Sequence, residues 1–306
     1  MTKEKKVTFE ELLDAGCHFG HLKRKWNPAM APYIFMEKNG IHIIDLYKTA
    51  EQLELACAAA RQIAKSGRKI LFVATKKQAK EAVAELVKNI GMPYVTERWP
   101  GGMLTNFFTI RKAVKKMTDI DRLIQGPQFT SLSKREKLQI QRERAKLEKN
   151  LGSIADLSRL PAAVFIVDIM KEHIAVAEAR RLNIPTFAIV DTNSNPNLID
   201  YPIPANDDAS KSISVIVNAV CNAITEGLDE RKMNKDQQSE EVIENEFSTS
   251  KEFDIEDDDY AEDGEEKTKK MRGEEGEDDG APKRKRTTVK KAPVKVSPKT
   301  STSKKR

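Results

Sequence analysis

The sequence predicts an α/β fold built on a doubly wound parallel sheet, and three observations support this. Several short, continuous apolar runs, of which Lys69–Thr75 is the clearest, are typical of strands buried on both faces. Amphipathic helical patterns alternate with these runs, as they do when helices cover both faces of a sheet. Apolar residues follow a heptad-like spacing within 105–154 and become sparse after residue 228, which predicts an inserted helical hairpin and a C-terminal tail.

The N-terminal part of the chain is predicted to form a short helix and a pair of strands. The helix spans residues 8–16, with Thr8 and Glu11 as its capping box. The runs Tyr33–Met36 and Ile41–Ile44 flank an Asn-Gly pair, which is a strong β-hairpin signal.

Five strands and the helices between them make up the predicted sheet. Thr49 and Gln52 form a capping box for the first of these helices. The strands are Lys69–Thr75, Tyr94–Thr96, Ala162–Ile169, Pro185–Val190 and Tyr201–Pro204. Parallel strands need crossover connections, so we expect right-handed units in the flavodoxin-like order 2-1-3-4-5. A last helix is predicted over Asp208–Ile224, ending at Gly227.

The hairpin is predicted to interrupt the sheet between its second and third strands. A first helix carries an apolar stripe that starts at Phe107, and Gly126-Pro127 ends it. Ser133 and Glu136 form a capping box for a second helix that runs to Leu151. We therefore predict an α/β domain of residues 1–104 and 155–228, a coiled-coil hairpin of 105–154, and a tail of 229–306.

Charge is distributed unevenly along the 306 residues. Residues 1–228 hold 34 of the 53 Lys and Arg and 25 of the 47 Asp and Glu, a net charge of +9. This balance points to an anionic partner such as nucleic acid, although solubility alone would also explain it. Residues 229–280 have 22 acidic and 8 basic residues, whereas 281–306 have 11 basic and no acidic ones. Such a composition predicts a disordered tail, acidic and then basic, that either binds RNA phosphates or only keeps the protein soluble.

The cysteines and the apolar runs indicate a cytoplasmic protein. The three cysteines include no C-x-x-C pair, so a disulfide framework or a zinc knuckle is not expected. The N-terminus lacks the apolar run of a signal peptide, and no stretch is long and apolar enough for a membrane span.

Two loops combine cations with an aromatic ring, as sites for unpaired RNA do. The first is the stretch around Trp99-Pro-Gly-Gly, where two glycines allow close backbone approach. The second follows His18, and the alternative for each loop is a basic turn with a packed Trp. The candidate RNA-binding residues of the two loops are His18, Lys23, Arg24, Lys25, Trp26, Arg98, Trp99, Gly101, Gly102, Thr105 and Asn106.

Further cations are expected on the hairpin and at the carboxyl edge of the sheet. On the hairpin they are Arg111, Lys112, Lys115 and Lys116, and after the first strand of the sheet they are Lys76 and Lys77. The loop after that strand contains no glycine, which argues against a dinucleotide or phosphate-binding loop. Asp168 lies where a phospho-receiver domain has its acceptor, but lysines replace the acidic residues that would bind magnesium. The sequence therefore argues against an enzyme.

A metal site is a further hypothesis for the carboxyl edge. His21 follows a fixed loop, Asp191 ends the fourth strand and Asp208 begins the last helix. One imidazole and two carboxylates suit a structural zinc ion. The alternative is that both carboxylates are helix N-caps and that the histidine bonds to backbone. No other cofactor is expected.

Several motifs in order resemble the bacterial form of small-subunit ribosomal protein S2. They are His18-Phe-Gly-His21 with Trp26-Asn-Pro28, Ile41-His-Ile-Ile-Asp45, Trp99-Pro-Gly-Gly-Met-Leu-Thr-Asn106, Phe187-Ala-Ile-Val-Asp-Thr-Asn193 and Ile203-Pro-Ala-Asn-Asp-Asp208. The resemblance covers residues 8–228 and implies a flavodoxin-like domain with an inserted helical hairpin.

The resemblance also implies a function and partners. It places the protein on the ribosome in the cytoplasm, between the head and body of the small subunit, in contact with rRNA and neighbouring ribosomal proteins. In that family the protein helps to dock ribosomal protein S1 near the mRNA exit. We expect no membrane association and no homo-oligomer. The alternative from another class is a free-standing adaptor that binds RNA or protein outside the ribosome.

Overall fold

A computed structural model describes the backbone of residues 7–253 and the side chains of residues 7–235. The elements follow the chain in this order: α1 (Phe9–Asp14), β1 (Phe19–Leu22), β2 (Ile34–Lys38), β3 (Ile41–Ile44), α2 (Leu46–Lys65), β4 (Ile70–Val73), α3 (Lys77–Asn89), β5 (Tyr94–Val95), α4 (Phe107–Gln125), α5 (Gln128–Ser131), α6 (Lys134–Leu151), β6 (Ala163–Val167), α7 (His173–Arg181), β7 (Thr186–Val190), β8 (Tyr201–Pro204) and α8 (Ser210–Phe253). None of the helices in this described part is long and apolar enough to span a bilayer.

The central sheet has five parallel strands in the order β5-β4-β6-β7-β8. This is the predicted order 2-1-3-4-5, so the fold-class prediction is confirmed. Phe72, Phe165 and Phe187 are aligned across three neighbouring strands, which fixes the register of the central part. All five carboxyl ends therefore lie along one edge of the sheet, where doubly wound folds place their sites.

Helices cover both faces of this sheet. The row of three phenylalanines packs with buried side chains of α2, α3 and α8, of which Leu53, Val83 and Val217 are examples. The opposite face packs against α7, the Trp-Pro-Gly-Gly loop and the base of the hairpin. The strands read as continuous apolar runs because neither face reaches solvent.

A second, smaller sheet is antiparallel and has the order β1-β3-β2. The predicted β2–β3 hairpin is confirmed, and both turn residues are left-handed, with φ of 54° at Asn39 and 76° at Gly40. Strand β1 was expected to be a loop. Its four residues, Phe-Gly-His-Leu, lack the alternation of polar and apolar residues that marks a half-buried strand. They form a strand because they pair with β3.

Two of the predicted helix boundaries are wrong. Helix α2 begins at Leu46 because Asp45 accepts a hydrogen bond from the backbone of Tyr47 (3.1 Å) and acts as N-cap. Thr49 is buried within the helix, and its hydroxyl donates to the carbonyl of Pro204 (2.6 Å). The hydroxyl thus joins the helix to the last strand, which a local capping pattern does not reveal.

Helix α8 passes through Gly227 and continues to Phe253, so the predicted end at Gly227 is also wrong. A β-carbon at Gly227 would lie 2.5 Å from the backbone oxygen of Arg61, so the glycine permits close contact with α2. Beyond it, Glu230 pairs with Arg61 and Lys65. Residues 254–306, the larger part of the predicted disordered tail, lie outside the described residues.

The inserted hairpin consists of α4 and α6 joined by the short α5. The predicted capping box of Ser133 and Glu136 is present. Met117 and Ile120 of α4 are buried, whereas Arg144 of α6 pairs with Asp121, and Lys116 pairs with Glu143. The two long helices therefore form an apolar seam bordered by ion pairs.

Candidate nucleic-acid interface

The Trp-Pro-Gly-Gly loop is organised around the carboxylate of Glu178, which projects from α7. One carboxylate oxygen accepts from the indole N–H of Trp99 (3.1 Å) and from the backbone of Gly102 (2.7 Å). The other accepts from the backbone of Leu104 (2.9 Å) and from the backbone and hydroxyl of Thr105 (3.1 and 3.2 Å). Five donors thus fix the loop to a buried anion.

The anchor at Glu178 changes the roles that the sequence suggested for the loop. Trp99 is only 6% exposed, so its predicted role as a stacking face for RNA is wrong, and the ring belongs to the core. Position 102 favours glycine because its φ of +83° is in the left-handed region. Gly101 is exposed, and a β-carbon there would meet no described atom within 4 Å. Of the two glycines, Gly101 is therefore the one that a phosphate could approach.

The pKa of Glu178 is lowered in spite of its burial. Burial alone would raise the pKa of this carboxyl group. The hydrogen bonds from the loop outweigh burial, and the pKa is lowered from its usual value. Glu178 was not predicted from the sequence, although a lone acidic residue on the apolar face of α7 was a detectable signal.

A second charged cluster lies at the carboxyl edge of the central sheet and contains Lys76. The ammonium group of Lys76 lies 2.7 Å from Asp207, 2.7 Å from Asp208 and 3.5 Å from Asp168. Burial alone would lower the pKa of Lys76, but its hydrogen bonds to Asp207 and Asp208 raise it. Lys76 is thus occupied within the fold, which argues against its predicted role in RNA binding. Lys77 is exposed.

A bulge in β1 directs His21 into the same cluster. Phe19 and Leu22 pair with Ile43 and Ile41, so β1 has one more residue than β3 between these pairs. The backbone N–H of His21 donates to the hydroxyl of Thr192 (2.8 Å). Its Nδ1 lies 2.9 Å from Asp191 and its Nε2 lies 3.5 Å from Asp208.

These distances correct the predicted metal set. Asp191 and Asp208 contact opposite nitrogens of His21, so one ion bound to a single nitrogen cannot use both carboxylates in this arrangement. The groups that come within 4.8 Å of one another are His21, Asp191 and Asp207. Their nitrogen and oxygen atoms suit zinc, but the Lys76 ammonium already neutralises Asp207. The predicted set contained Asp208 in place of its neighbour Asp207.

The same contacts shift the pKa values of two members of the cluster. The hydrogen bond to Asp191 raises the pKa of His21. Burial, together with the nearby Asp191 and Asp168, raises the pKa of Asp207 to about 7, and Lys76 opposes this shift. The predicted N-cap role of Asp208 is wrong, because the side chain of Asn206 accepts from the backbone of Asp208 (2.8 Å).

The basic loop after β1 places two cations in solvent. Lys23 pairs with Glu37 (2.7 Å), and Trp26 is half-buried with its ring 5.2 Å from that of His42. His18 is half-buried with its ring 4.0 Å from that of Phe19. Arg24 and Lys25 are exposed, and neither makes an ion pair with any described residue.

The four predicted cations of the hairpin are all exposed. Arg111 donates to the carbonyl of Ser158 (2.8 Å), and Lys116 pairs with Glu143. Lys115 makes no ion pair within the described part of the chain. Lys112 lies 4.4 Å from the ring centroid of Phe108, which is 70% exposed and was missed by the sequence analysis.

Arg98, Thr105 and Asn106 border this surface and are exposed. The hydroxyl of Thr109 donates to the side chain of Asn106 (2.8 Å), and Asn106 makes no side-chain cap to α4. Near the loop and the base of the hairpin, cations, an aromatic ring and an accessible glycine therefore occur together. This combination suits unpaired RNA.

Comparisons with known proteins show which family the chain is similar to. The family model for ribosomal protein S2 matches residues 12–227. Small ribosomal subunit protein uS2 of Parabacteroides distasonis is 68% identical over 230 residues, which are 75% of this chain and 83% of that protein. The proteins of the same name from Porphyromonas gingivalis and Azobacteroides pseudotrichonymphae are 69% and 71% identical over 230 and 228 residues. These matches cover 75% and 74% of this chain, and 82% and 87% of the relatives. The chain therefore belongs to the ribosomal protein S2 family.

Proposed function

We propose that this protein is a structural component of the small ribosomal subunit in the cytoplasm and acts in translation by binding rRNA between the head and body. The observation that supports this most strongly is family membership across residues 12–227. The net charge of +9 over residues 1–228 agrees with a polyanionic partner.

The rRNA contacts are assigned to groups that the fold leaves exposed. These are Arg24 and Lys25 on the basic loop, Arg98 and Gly101 on the Trp-Pro-Gly-Gly loop, Lys77 on α3, and Arg111, Lys112, Lys115 and Lys116 on the hairpin. Phosphate contacts of this kind add affinity mainly through counterion release and do not read sequence. The α/β domain and the hairpin offer two separate surfaces. Once one surface has bound its rRNA segment, the other is held near its own segment at a raised effective concentration.

The proposed role is not catalytic. In doubly wound folds, substrates bind at the carboxyl edge of the sheet. Here Lys76 lies among Asp168, Asp207 and Asp208 at that edge, so its ammonium occupies the place where a receiver domain binds magnesium. The ammonium group of Lys76 and the carboxylates around it therefore stabilise one another at this edge of the sheet.

The apolar face of the three-stranded sheet is the surface that we assign to ribosomal protein S1. Phe19, Ile43 and Met36 form one cross-strand row, since both outer residues pair with Ile43. A bulge in β2 leaves Phe35 unpaired and 70% exposed beside this row. Exposed apolar side chains that lie together mark a protein contact.

The assignment to the ribosome is tested by co-sedimentation with small subunits at high salt. A subunit component should stay with the particle, whereas a free-standing adaptor should be released. Release of the unmodified full chain at a salt concentration that retains other core ribosomal proteins would refute the proposal.

The assignment of S1 is tested with Phe35→Ser in the full chain. We expect subunits that retain this protein but lose S1, because the variant removes an exposed apolar contact. Leu55→Ser is the matched control, since Leu55 of α2 is also exposed (53%). Equal retention of S1 by both variants would place its contact elsewhere.

A further inference from the structure

A cavity of about 390 Å³ opens between α7 and the loops that follow β1, β6 and β7. Its size lies within the roughly 300–1,000 Å³ of small-molecule sites. Met170, Val176 and Leu198 provide apolar walls, and Met170 is 59% exposed, so the cavity is open to solvent. None of the residues proposed to contact rRNA lines this cavity.

Two asparagines that line this cavity have side chains whose oxygens are engaged and whose NH₂ groups are not. The side-chain oxygen of Asn27 accepts from the backbone of Ala29 (2.9 Å), and that of Asn195 accepts from Asn197 (3.1 Å). Each oxygen caps its own turn, which holds the amide group in place. Neither NH₂ group donates to any described residue, and both asparagines line the cavity.

The charge of the lining favours an anion. Arg180 and His173 of α7 line the cavity, and no carboxylate among the described side chains does. Arg180 makes no ion pair within the described part of the protein. An apolar slot with amide donors and a guanidinium group is complementary to a flat base that carries acceptors and a phosphate.

We propose that this cavity binds a single unpaired nucleotide of the rRNA, with the base between Met170 and Leu198 and the phosphate on Arg180. The inference rests on the proposed rRNA-binding function and adds a base-specific site to it. A soluble nucleotide shares this chemistry, so the experiment separates the two sources.

Two pairs of variants of the full chain test the proposal. Ala177→Leu fills the cavity from an exposed position of α7, and Ala58→Leu makes the same change at an exposed position of α2. Asn195→Asp keeps the oxygen that caps the turn but removes the NH₂ donor. Asn197→Asp adds the same charge two residues away, at an exposed position that does not line the cavity.

Each variant is assembled into small subunits that lack this protein, and the particles are irradiated. Mass spectrometry should find a nucleotide adduct on Met170 or His173 for the unmodified chain and for Ala58→Leu, but not for Ala177→Leu. Asn195→Asp should weaken rRNA binding about fivefold more than Asn197→Asp, the factor expected for one lost hydrogen bond.

Three results would overturn the proposal. The first is normal assembly without the adduct, or with an adduct that persists in Ala177→Leu. The second is a cross-link from Met170 to a neighbouring protein in place of RNA. The third is saturable binding of guanosine or uridine monophosphate to the isolated chain without an adduct in the particle, which would assign the cavity to a soluble nucleotide. Failure of the unmodified chain to assemble would instead refute the ribosomal function itself.

Discussion

Lys76 and Lys115 carry the same charge in opposite settings. Lys76 is half-buried at the edge of the sheet among three carboxylates, whereas Lys115 is exposed on the hairpin without an ion pair to any described residue. The first lysine offsets the repulsion between the buried Asp207 and its neighbour Asp168, so its charge already stabilises the fold. The second is free to release counterions from RNA. The position of a cation, and not its presence in the sequence, thus decides its role.

Loss of Lys76 should produce the largest effect on stability. Lys76→Met leaves Asp207 buried beside Asp168 without its cation. Breaking a buried pair from one side typically costs about 3–5 kcal/mol. Chemical denaturation in EDTA, which prevents a metal ion from replacing the ammonium, measures this cost. The exposed Lys77→Met should change the free energy of unfolding by less than about 0.5 kcal/mol. Equal losses of unfolding free energy in Lys76→Met and Lys77→Met would contradict the distinction between a lysine enclosed by carboxylates and an exposed one.

Glu178→Gln should be the next most destabilising change. A glutamine keeps one acceptor oxygen and directs an NH₂ group at two or three donors of the loop. Each buried donor left unpaired costs about 1–3 kcal/mol, so we expect a loss of at least about 2 kcal/mol. Glu81→Gln, at an exposed position of α3, is the control, and a comparable loss there would contradict the anchor.

The same variant gives a test by pH. The pKa of Glu178 is lowered in the folded protein, so its ionised form contributes stability fully above the unfolded pKa, about 4.3 for a glutamate. The difference in free energy of unfolding between the unmodified chain and Glu178→Gln should be complete at pH 7. It should shrink as the pH falls below about 4.3 through the folded pKa. A constant difference down to pH 3 would exclude this linkage.

Gly227→Ala should have a smaller effect than either charged site. The added methyl group would lie 2.5 Å from the backbone oxygen of Arg61, so α8 must move away from α2. Overpacking of this kind costs about 1–3 kcal/mol, against the roughly 1 kcal/mol that replacing a helical glycine with alanine gains from helix propensity. Thermal unfolding followed by circular dichroism measures it. A gain in melting temperature would show that Gly227 is not required for the contact.

The fold was more predictable from the sequence than its boundaries. Buried parallel strands produce local apolar runs, and the strand order follows from general rules of connection, so the sheet was predicted correctly. Strand β1, the contact made by Thr49 of α2 and the path of α8 depend on distant residues such as Ile43, Pro204 and Arg61. Local patterns contain no information about such partners.

The site was predictable only as a set of residue types. The sequence shows that Lys76 and Arg98 are cations in loops and that Trp99 is a ring in a loop. It does not show which of these side chains the fold encloses. Trp99 is turned inward by Glu178, which lies 79 residues away along the chain. Asp207 and Asp208 are adjacent and alike in sequence, and only the geometry shows which is nearer to Asp191.

The salt dependence of rRNA binding tests the central distinction most directly. The plot of log affinity against log salt is measured for the full chain, for Lys76→Met, and for a variant with Arg111, Lys112, Lys115 and Lys116 all changed to Glu. The hairpin variant should lower the slope by up to about one unit for each lost phosphate contact, with an unchanged circular dichroism spectrum. Lys76→Met, measured under conditions in which the variant is folded, should leave the slope unchanged. A slope that falls with Lys76→Met and is unaffected by the hairpin variant would contradict the account.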